Sequence, residues 1–224
     1  MTGPDAGALR AIGVPLRTER IHSACGELRI RIPRAANDVL KRSPAFVAAA
    51  ARREHPHWAE LWPASIALAR QVARGPSLQG KVACDLGCGA GLAGVAAGVR
   101  GATVVFADRA PEALALAQIN AANNRLTDFR LRAFDWATDV LDADCRVLLL
   151  ADLCYNWRAV RPLLRQVDEV LSRGGSVIAA DPFRPTANDF WSGLLERGAT
   201  WETRDVTVRD DRSAVRIATL GEGA

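Results

Sequence analysis

The sequence predicts an α/β fold, with helices on both faces of a mostly parallel sheet and an antiparallel hairpin at its C-terminal end. Three observations carry that prediction. From Lys81 onward, short strand-like apolar runs alternate with longer segments of helical spacing. A glycine-rich turn follows the first of these runs directly and opens a helix. The last two strand-like segments are separated only by Asp210-Asp211-Arg212, too few residues for a crossover.

Taken in order, Met1–Gly7 is rich in Gly, Pro and small residues and is expected to fray. Gly26–Pro33 alternates polar and apolar residues, which predicts a short half-exposed strand. Ala35–Arg42 is expected to form one short helix ending before Pro44. His57–Arg74 carries Trp58, Leu61, Trp62, Ile66, Ala69 and Val72 at helical spacing. Proline suits only a first turn, so the helix proper starts near Pro63. Strands are then expected at Val82–Leu86, Thr103–Ala107, Phe129–Phe134, Arg146–Leu153 and Ser176–Ala180. The helices between them run to about Val99, over Pro111–Asn124 and over Trp157–Ser172, the last stopped by Gly174-Gly175. A helix over Thr186–Arg197 precedes the closing strands, Thr200–Arg209 and Ser213–Leu220. Residues 1–56 are read as a basic N-terminal extension of a strand plus a short helix, and 57–224 as the main domain.

Composition narrows the function. The 224 residues, 49% hydrophobic and 24% charged, describe a soluble globular chain with one sizeable core. The net charge of +4 could point to nucleic acid, but its location argues otherwise. Met1–Arg53 holds ten basic and four acidic residues, whereas the remainder holds nineteen and twenty-one. The bulk of the chain is therefore slightly acidic, and neither a nucleic-acid nor a membrane partner is expected. Nothing resembles a signal peptide, and the longest apolar runs fall far short of a membrane span. The five cysteines include no CxxC pair and lack histidines at ligand spacing. Reduced thiols in a cytoplasmic protein without a metal site are expected. Arginine far outnumbers the two lysines, Lys41 and Lys81, and with abundant alanine this suggests a GC-rich, bacterial source.

Chemistry concentrates at the predicted strand ends. Asp85-Leu86-Gly87-Cys88-Gly89-Ala90-Gly91 lets the backbone pass close to a ligand, and the helix start offers unpaired N–H groups. Dinucleotide-binding folds share such a turn. Asp85, two residues before the first glycine, would repel a pyrophosphate and welcome a cationic ligand end. Asp108 closes the second strand, where a carboxylate can accept both hydroxyls of a ribose or simply cap the next helix. Asp135, beside Trp136, suits an adenine, with a turn aspartate and a packed tryptophan as the plain alternative. Asp152 ends the fourth strand. Four carboxylates thus fall on one rim of the sheet.

This constellation resembles the class I S-adenosylmethionine-dependent methyltransferases, whose Rossmann-like sheet has seven strands with the last reversed. The resemblance covers Lys81 to Leu220. It implies S-adenosyl-L-methionine as cofactor, its methionine end cradled by Asp85, Gly87, Cys88, Gly89 and Gly91. It also implies that Asp108 holds the ribose and that Asp135 with Trp136 meets the adenine. Asp152-Leu153-Cys154-Tyr155 matches the Asp-x-x-Tyr motif of the seven-strand protein-lysine methyltransferases. His57-Trp58-Ala59-Glu60-Leu61-Trp62-Pro63 resembles the aromatic and Trp-Pro lead-in of the same family, which sets Trp62 over the cofactor pocket. Asp181-Pro182-Phe183-Arg184-Pro185 resembles the Asp-Pro-x-Arg-Pro of the electron transfer flavoprotein β-subunit lysine methyltransferases. Ala64-Ser65 stands where that subfamily would have glycines, and the first fifty residues align poorly with it.

The resemblance implies a protein-lysine N-methyltransferase in which Asp152 orients the acceptor amine and Tyr155 walls its approach. The electron transfer flavoprotein β-subunit is the implied protein partner. The alternative is a small-molecule methyltransferase acting on an amine or natural product. A catalytically silent binding module and a nicotinamide-dependent dehydrogenase are weaker readings. Elsewhere the bland reading is preferred. Trp58, Trp157, Trp191 and Trp201 are expected to pack in the core or between helices, and the thiols of Cys88 and Cys154 to be inert. His55 and His57 are read as a solvated turn and Arg109 as a solvated helix-opening arginine.

Overall fold

The computed structural model describes residues 12–35, 56–208 and 210–221. The fraying expected of Met1–Gly7 and, but for Ala35, the helix expected over Ala35–Arg42 lie outside the described residues.

The main sheet has seven strands: β3 (Val82–Leu86), β4 (Thr103–Asp108), β5 (Phe129–Ala133), β6 (Cys145–Ala151), β7 (Ser176–Asp181), β8 (Thr200–Val208) and β9 (Asp211–Leu220). Their spatial order is β5-β4-β3-β6-β7-β9-β8. β3 through β7 pair in parallel, and β9 runs antiparallel between β7 and β8. This is the predicted α/β class, a Rossmann-like, mostly parallel seven-stranded sheet with a C-terminal antiparallel hairpin. The order reverses between β3 and β6, so the crevice beyond their carboxyl ends is where such a sheet receives a ligand.

Buried strands alternate their side chains between two apolar layers. Ala83, Val104, Phe106, Val147 and Leu149 face α1 (Pro63–Arg74), α2 (Leu92–Val99) and α3 (Pro111–Asn123). Cys84, Leu86, Val105, Leu148 and Leu150 face α4 (Val160–Ser172) and α5 (Asn188–Glu196). Fully buried side chains such as Phe106 and Leu149 each contribute roughly 1.5–3 kcal/mol by transfer from water. Pro63 and Pro111 open α1 and α3, as their fixed φ favours.

Two differences from the sequence reading have physical causes. Gly26–Pro33 forms strand β2 as expected, but it pairs with an unanticipated strand, β1 (Leu16–Ser23). The apolar residues of β1, Leu16 and Ile21, have opposite parity, and an Arg17–Glu19 ion pair of 2.8 Å shares the parity of Ile21. No alternating signal survives that arrangement. The strand expected to run to Leu153 stops at Ala151, because Asp152 turns into the left-handed region at φ 57°.

The hairpin is fastened by α3. Asn120 accepts the Arg31 N–H (2.7 Å) and donates to the Arg31 carbonyl (2.9 Å). Asn124 accepts the Arg29 N–H (2.9 Å), and Asn123 and Asn124 both donate to the Arg29 carbonyl at 2.8 Å. Ile21, Leu28, Ile30 and Ile32 of the hairpin are buried in the same apolar layer as α1 to α3.

Candidate active site

A cleft of about 220 Å³ opens at the carboxyl ends of β3, β4 and β6. The turn after β3 forms its floor. Gly87 (φ 63°), Gly89 (φ 50°) and Gly91 (φ 76°) take left-handed conformations that favour glycine. The Gly87 and Cys88 amides donate to the Ala107 carbonyl at the end of β4, at 2.8 and 3.1 Å. A Cβ on Gly87 would sit 2.5 Å from Leu153 Cδ2 and 3.2 Å from the Trp136 ring, both of which line the cleft. Gly91 lies behind the floor; a Cβ there would meet Ala117 and Phe106 at 3.0 Å. Its place is in the packing of α2, whereas Gly87, Cys88 and Gly89 face the cleft.

Asp85 and Asp108 brace this turn. Asp85, 2% exposed, accepts the Gly94 N–H of α2 at 2.8 Å. Burial pushes its carboxyl up to about 7; the Gly94 bond opposes that rise and the Asp108 charge adds to it. Asp108 accepts the Gly89 N–H (3.0 Å) and the Ala110 N–H (2.9 Å), one on each oxygen. Burial also raises its carboxyl above the usual range, against the pull of those amides. Each oxygen keeps a lone pair for a further donor. The Cys88 thiol is raised well above its ordinary value by burial, so it is neutral packing.

The opposite wall comes from the segments after β6 and β7. Asp152 is 9% exposed, and its amide donates to the Ala180 carbonyl of β7 at 2.9 Å. Its two oxygens receive a fork from Arg184: Nε on Oδ1, and Nη2 on Oδ2 at 2.8 Å. The Arg184 guanidinium also lies 5.6 Å from the Trp62 ring centroid. Behind this pair, Asp181 accepts the Arg184 N–H (3.0 Å) and binds Arg216 at 2.9 Å. Phe183 adopts φ 61°, so the wall holds two non-glycine residues in a sparsely populated region. Tyr155 stacks on His57 with centroids 5.0 Å apart and planes at 23°. Trp62 Nε1 donates to the His57 carbonyl at 2.8 Å.

The structure therefore brings together Trp62, Asp85, Gly87, Cys88, Gly89, Asp108, Trp136, Asp152 and Tyr155 at one cleft. It does not bring in Asp135, which is exposed outside the lining; its Oδ1 caps the Ala137 N–H at 2.9 Å. The strand ends one residue before Phe134, and the chain turns there, carrying the Asp135 carboxylate away from the cleft. Sequence reasoning left out His57 and Arg184, both of which line the cleft. Arg184 had a signal in Asp-Pro-Phe-Arg-Pro; His57 had only its place among the aromatics before Pro63. Trp58 packs on the core and lines the cleft, Trp191 is core, Trp201 is half-exposed with its ring edge-on to Trp191 and Phe183, and Trp157 is exposed instead of packed.

These residues fit S-adenosyl-L-methionine. The glycine floor would be filled by a side chain at Gly87, the buried Asp85 and half-buried Asp108 carboxylates face the cleft, and Trp136 gives it an aromatic surface. Asp85 with the turn would hold the methionine end, and Asp108 the ribose hydroxyls. A cationic cofactor suits a floor braced by carboxylates in a way a pyrophosphate does not.

Comparison with known proteins agrees. Solved structures with the same fold include the magnesium protoporphyrin IX methyltransferase of Synechocystis PCC 6803 with bound S-adenosylmethionine (TM-score 0.52, 19% identity, 80% of this chain and 85% of that one). Another is the precorrin-6y C5,15-methyltransferase of Geobacter metallireducens (TM-score 0.52, 18% identity, 68% of this chain and 85% of that one). Among curated proteins, the electron transfer flavoprotein beta subunit lysine methyltransferase of Xenopus laevis is 32% identical over 139 residues, 58% of this chain. Its counterpart in Danio rerio is 30% identical over 137 residues, 60% of this chain. The matched region is 53% of each relative, so the chain spans about half the length of the curated relatives it matches. The family model described as lysine methyltransferase matches residues 53–197, a span that takes in the glycine floor, Asp152, Tyr155 and Arg184. Since that span is well over half of the sequence, the chain belongs to the lysine methyltransferase family.

Proposed function

We propose that this protein methylates the ε-amine of a lysine on a protein substrate, using S-adenosyl-L-methionine, in a reducing, cytoplasmic compartment. The observation that carries the reading is the meeting of Asp152 and Tyr155 with the glycine floor in one cleft. The likeness to two electron transfer flavoprotein β-subunit enzymes supports that subunit as the acceptor. All five cysteines are free and four are buried, in keeping with a reducing compartment.

The bound cofactor supplies an electrophilic methyl group on a sulfonium. On that group the acceptor nitrogen's lone pair would form the new N–C bond while the C–S pair stayed with sulfur and the nitrogen's surplus proton passed to solvent. The chain's own work is positional. Asp152 offers the amine a hydrogen-bond acceptor, which turns the nitrogen lone pair toward the methyl group. Tyr155 and His57 form a flat wall beside it, and Trp62 covers the approach. A free lysine is neutral in fewer than about one in a thousand molecules at pH 7, so the site must also favour the uncharged amine.

The test is incubation with methyl-labelled cofactor, first with recombinant electron transfer flavoprotein, then with a cell extract split by size. Label on a β-subunit lysine is the expected result. Label confined to the small-molecule fraction would overturn the protein-lysine reading in favour of a small amine acceptor. Stabilisation of the protein by NAD alone, without response to S-adenosylhomocysteine, would overturn the methyltransferase reading itself.

A further inference from the structure

A lone carboxylate beside an acceptor amine has an unwanted effect. It holds the amine in place but also stabilises the ammonium, which has no lone pair to give. In this structure the carboxylate is not alone. Arg184 meets Asp152 through a two-pronged fork, and both residues line the cleft. The guanidinium is held from three sides: by Asp152, by the Trp62 ring, and by its own backbone, whose amide is fixed on Asp181. The fork engages one lone pair on each Asp152 oxygen and leaves acceptor capacity for an N–H donor.

From this geometry we infer that Arg184 is a positioning residue that cancels the charge of Asp152, so that the site accepts a neutral amine and disfavours an ammonium. The inference deepens the amine-methylation reading and rests on it.

The surrounding charges support the cancellation. Asp181 and Arg216 form a second pair behind the first, so the four charges sum to zero. Cys154, beside them, has its thiol pushed up to about 12, chiefly by burial, and brings no charge. On the cleft side the other charged or titratable lining groups include His57, Glu60, Tyr155, Asp85, Asp108, Arg109 and Glu112. Asp85 lies at the floor, bound to the Gly94 amide, on the side proposed for the methionine end. Arginine suits the role because it stays protonated and its planar fork fixes the carboxylate's orientation as well as its charge.

The test needs no acceptor. Sinefungin carries an amine where the cofactor carries its transferable methyl, and S-adenosylhomocysteine carries none. The ratio of their dissociation constants, measured by calorimetry at pH 7, reports how the site treats an ammonium at the point of transfer. Arg184→Gln should lower the sinefungin-to-S-adenosylhomocysteine ratio at least tenfold, because it leaves Asp152 as an uncompensated anion. Arg184→Lys, which restores a cation, should keep the ratio within threefold of the original protein. Adding Asp152→Asn to Arg184→Gln should return the ratio to its original value. Thermal unfolding confirms that each variant is folded. A ratio unchanged in Arg184→Gln, or an equal fall in Arg184→Lys, would overturn the inference and leave the acceptor assignment to the labelling experiment. Failure of the original protein to bind S-adenosylhomocysteine would overturn the inference together with the cofactor site.

Discussion

Replacing Asp85 with asparagine should make the ligand-free protein more stable and the cofactor complex weaker. Asp85 is 2% exposed, and burial raises its carboxyl to about 7 from an ordinary 3.8. A carboxyl raised on folding binds more protons in the folded than in the unfolded state. Stability is then fullest below pH 3.8 and falls as pH climbs toward about 7. At pH 8 the accumulated cost is roughly 4 kcal/mol, from about three pH units at ~1.4 kcal/mol each. Asparagine keeps an acceptor for the Gly94 N–H, and the charge assistance of that bond is already contained in the carboxyl's net shift. The net gain is therefore about 4 kcal/mol, and for a chain of this size each kcal/mol raises the melting midpoint by about 2–4 °C. Thermal unfolding of both proteins from pH 4 to pH 8 should therefore show curves that nearly coincide at pH 4 and separate by at least about 5 °C at pH 8. The same substitution removes the anion proposed for the cofactor's methionine end, so S-adenosylhomocysteine should bind at least tenfold more weakly. In the original protein, cofactor binding near pH 7 should release a proton, seen as a buffer-dependent heat in calorimetry. An Asp85→Asn midpoint equal to or below that of the original at pH 8 would refute the reasoning.

Other substitutions probe the floor, the wall and the brace. Gly87→Ala sets a Cβ 2.5 Å from Leu153 at φ 63°, and should cost about 1–3 kcal/mol and weaken S-adenosylhomocysteine at least tenfold. Gly174→Ala, with φ 69° and nothing within 4 Å, should cost only about 1–2 kcal/mol by urea denaturation and leave affinity unchanged. Asp152→Asn tolerates the left-handed backbone, so the fold should stand and S-adenosylhomocysteine affinity change less than threefold. Single-turnover methylation should nevertheless fall at least a hundredfold, about 3 kcal/mol of barrier, and full retention would remove Asp152 from the mechanism. Asn120→Ala leaves the Arg31 amide and two carbonyls without their partner, and should cost about 2–4 kcal/mol by denaturant unfolding.

Much of this architecture is legible in the sequence because parallel strands between helices are buried on both faces. Val82–Leu86 and Ser176–Ala180 announce themselves as apolar runs with abrupt ends. The ends of three such strands carry Asp85, Asp108 and Asp152, and strand termini on one rim are brought together by topology alone. The same rule misleads at Asp135, where the chain turns before the carboxylate can face the cleft. It is silent about His57 and Arg184, since no local pattern states that residue 57 will stack on residue 155 or residue 184 will fork onto residue 152. Both contacts join loops that only the folded sheet brings near. The first strand escaped notice for a different reason: its inward parity holds an ion pair, and the strand it pairs with is itself held by side chains of a helix ninety residues away.

Those helix side chains also act as a ruler for the hairpin. A two-stranded ribbon can slide by two residues and keep its inward and outward faces, since its pleat repeats every second position. Here the Arg29 and Arg31 main chain of the second strand is tied to Asn124 and Asn120, so that strand cannot shift along the helix without releasing both sets of bonds. Asn120 spends its remaining donor on the Ala90 carbonyl, at 2.8 Å, inside the glycine floor. One amide side chain thus joins the second strand of the N-terminal ribbon to the loop that would hold the cofactor, so a misplaced second strand would be felt first as a misshapen floor.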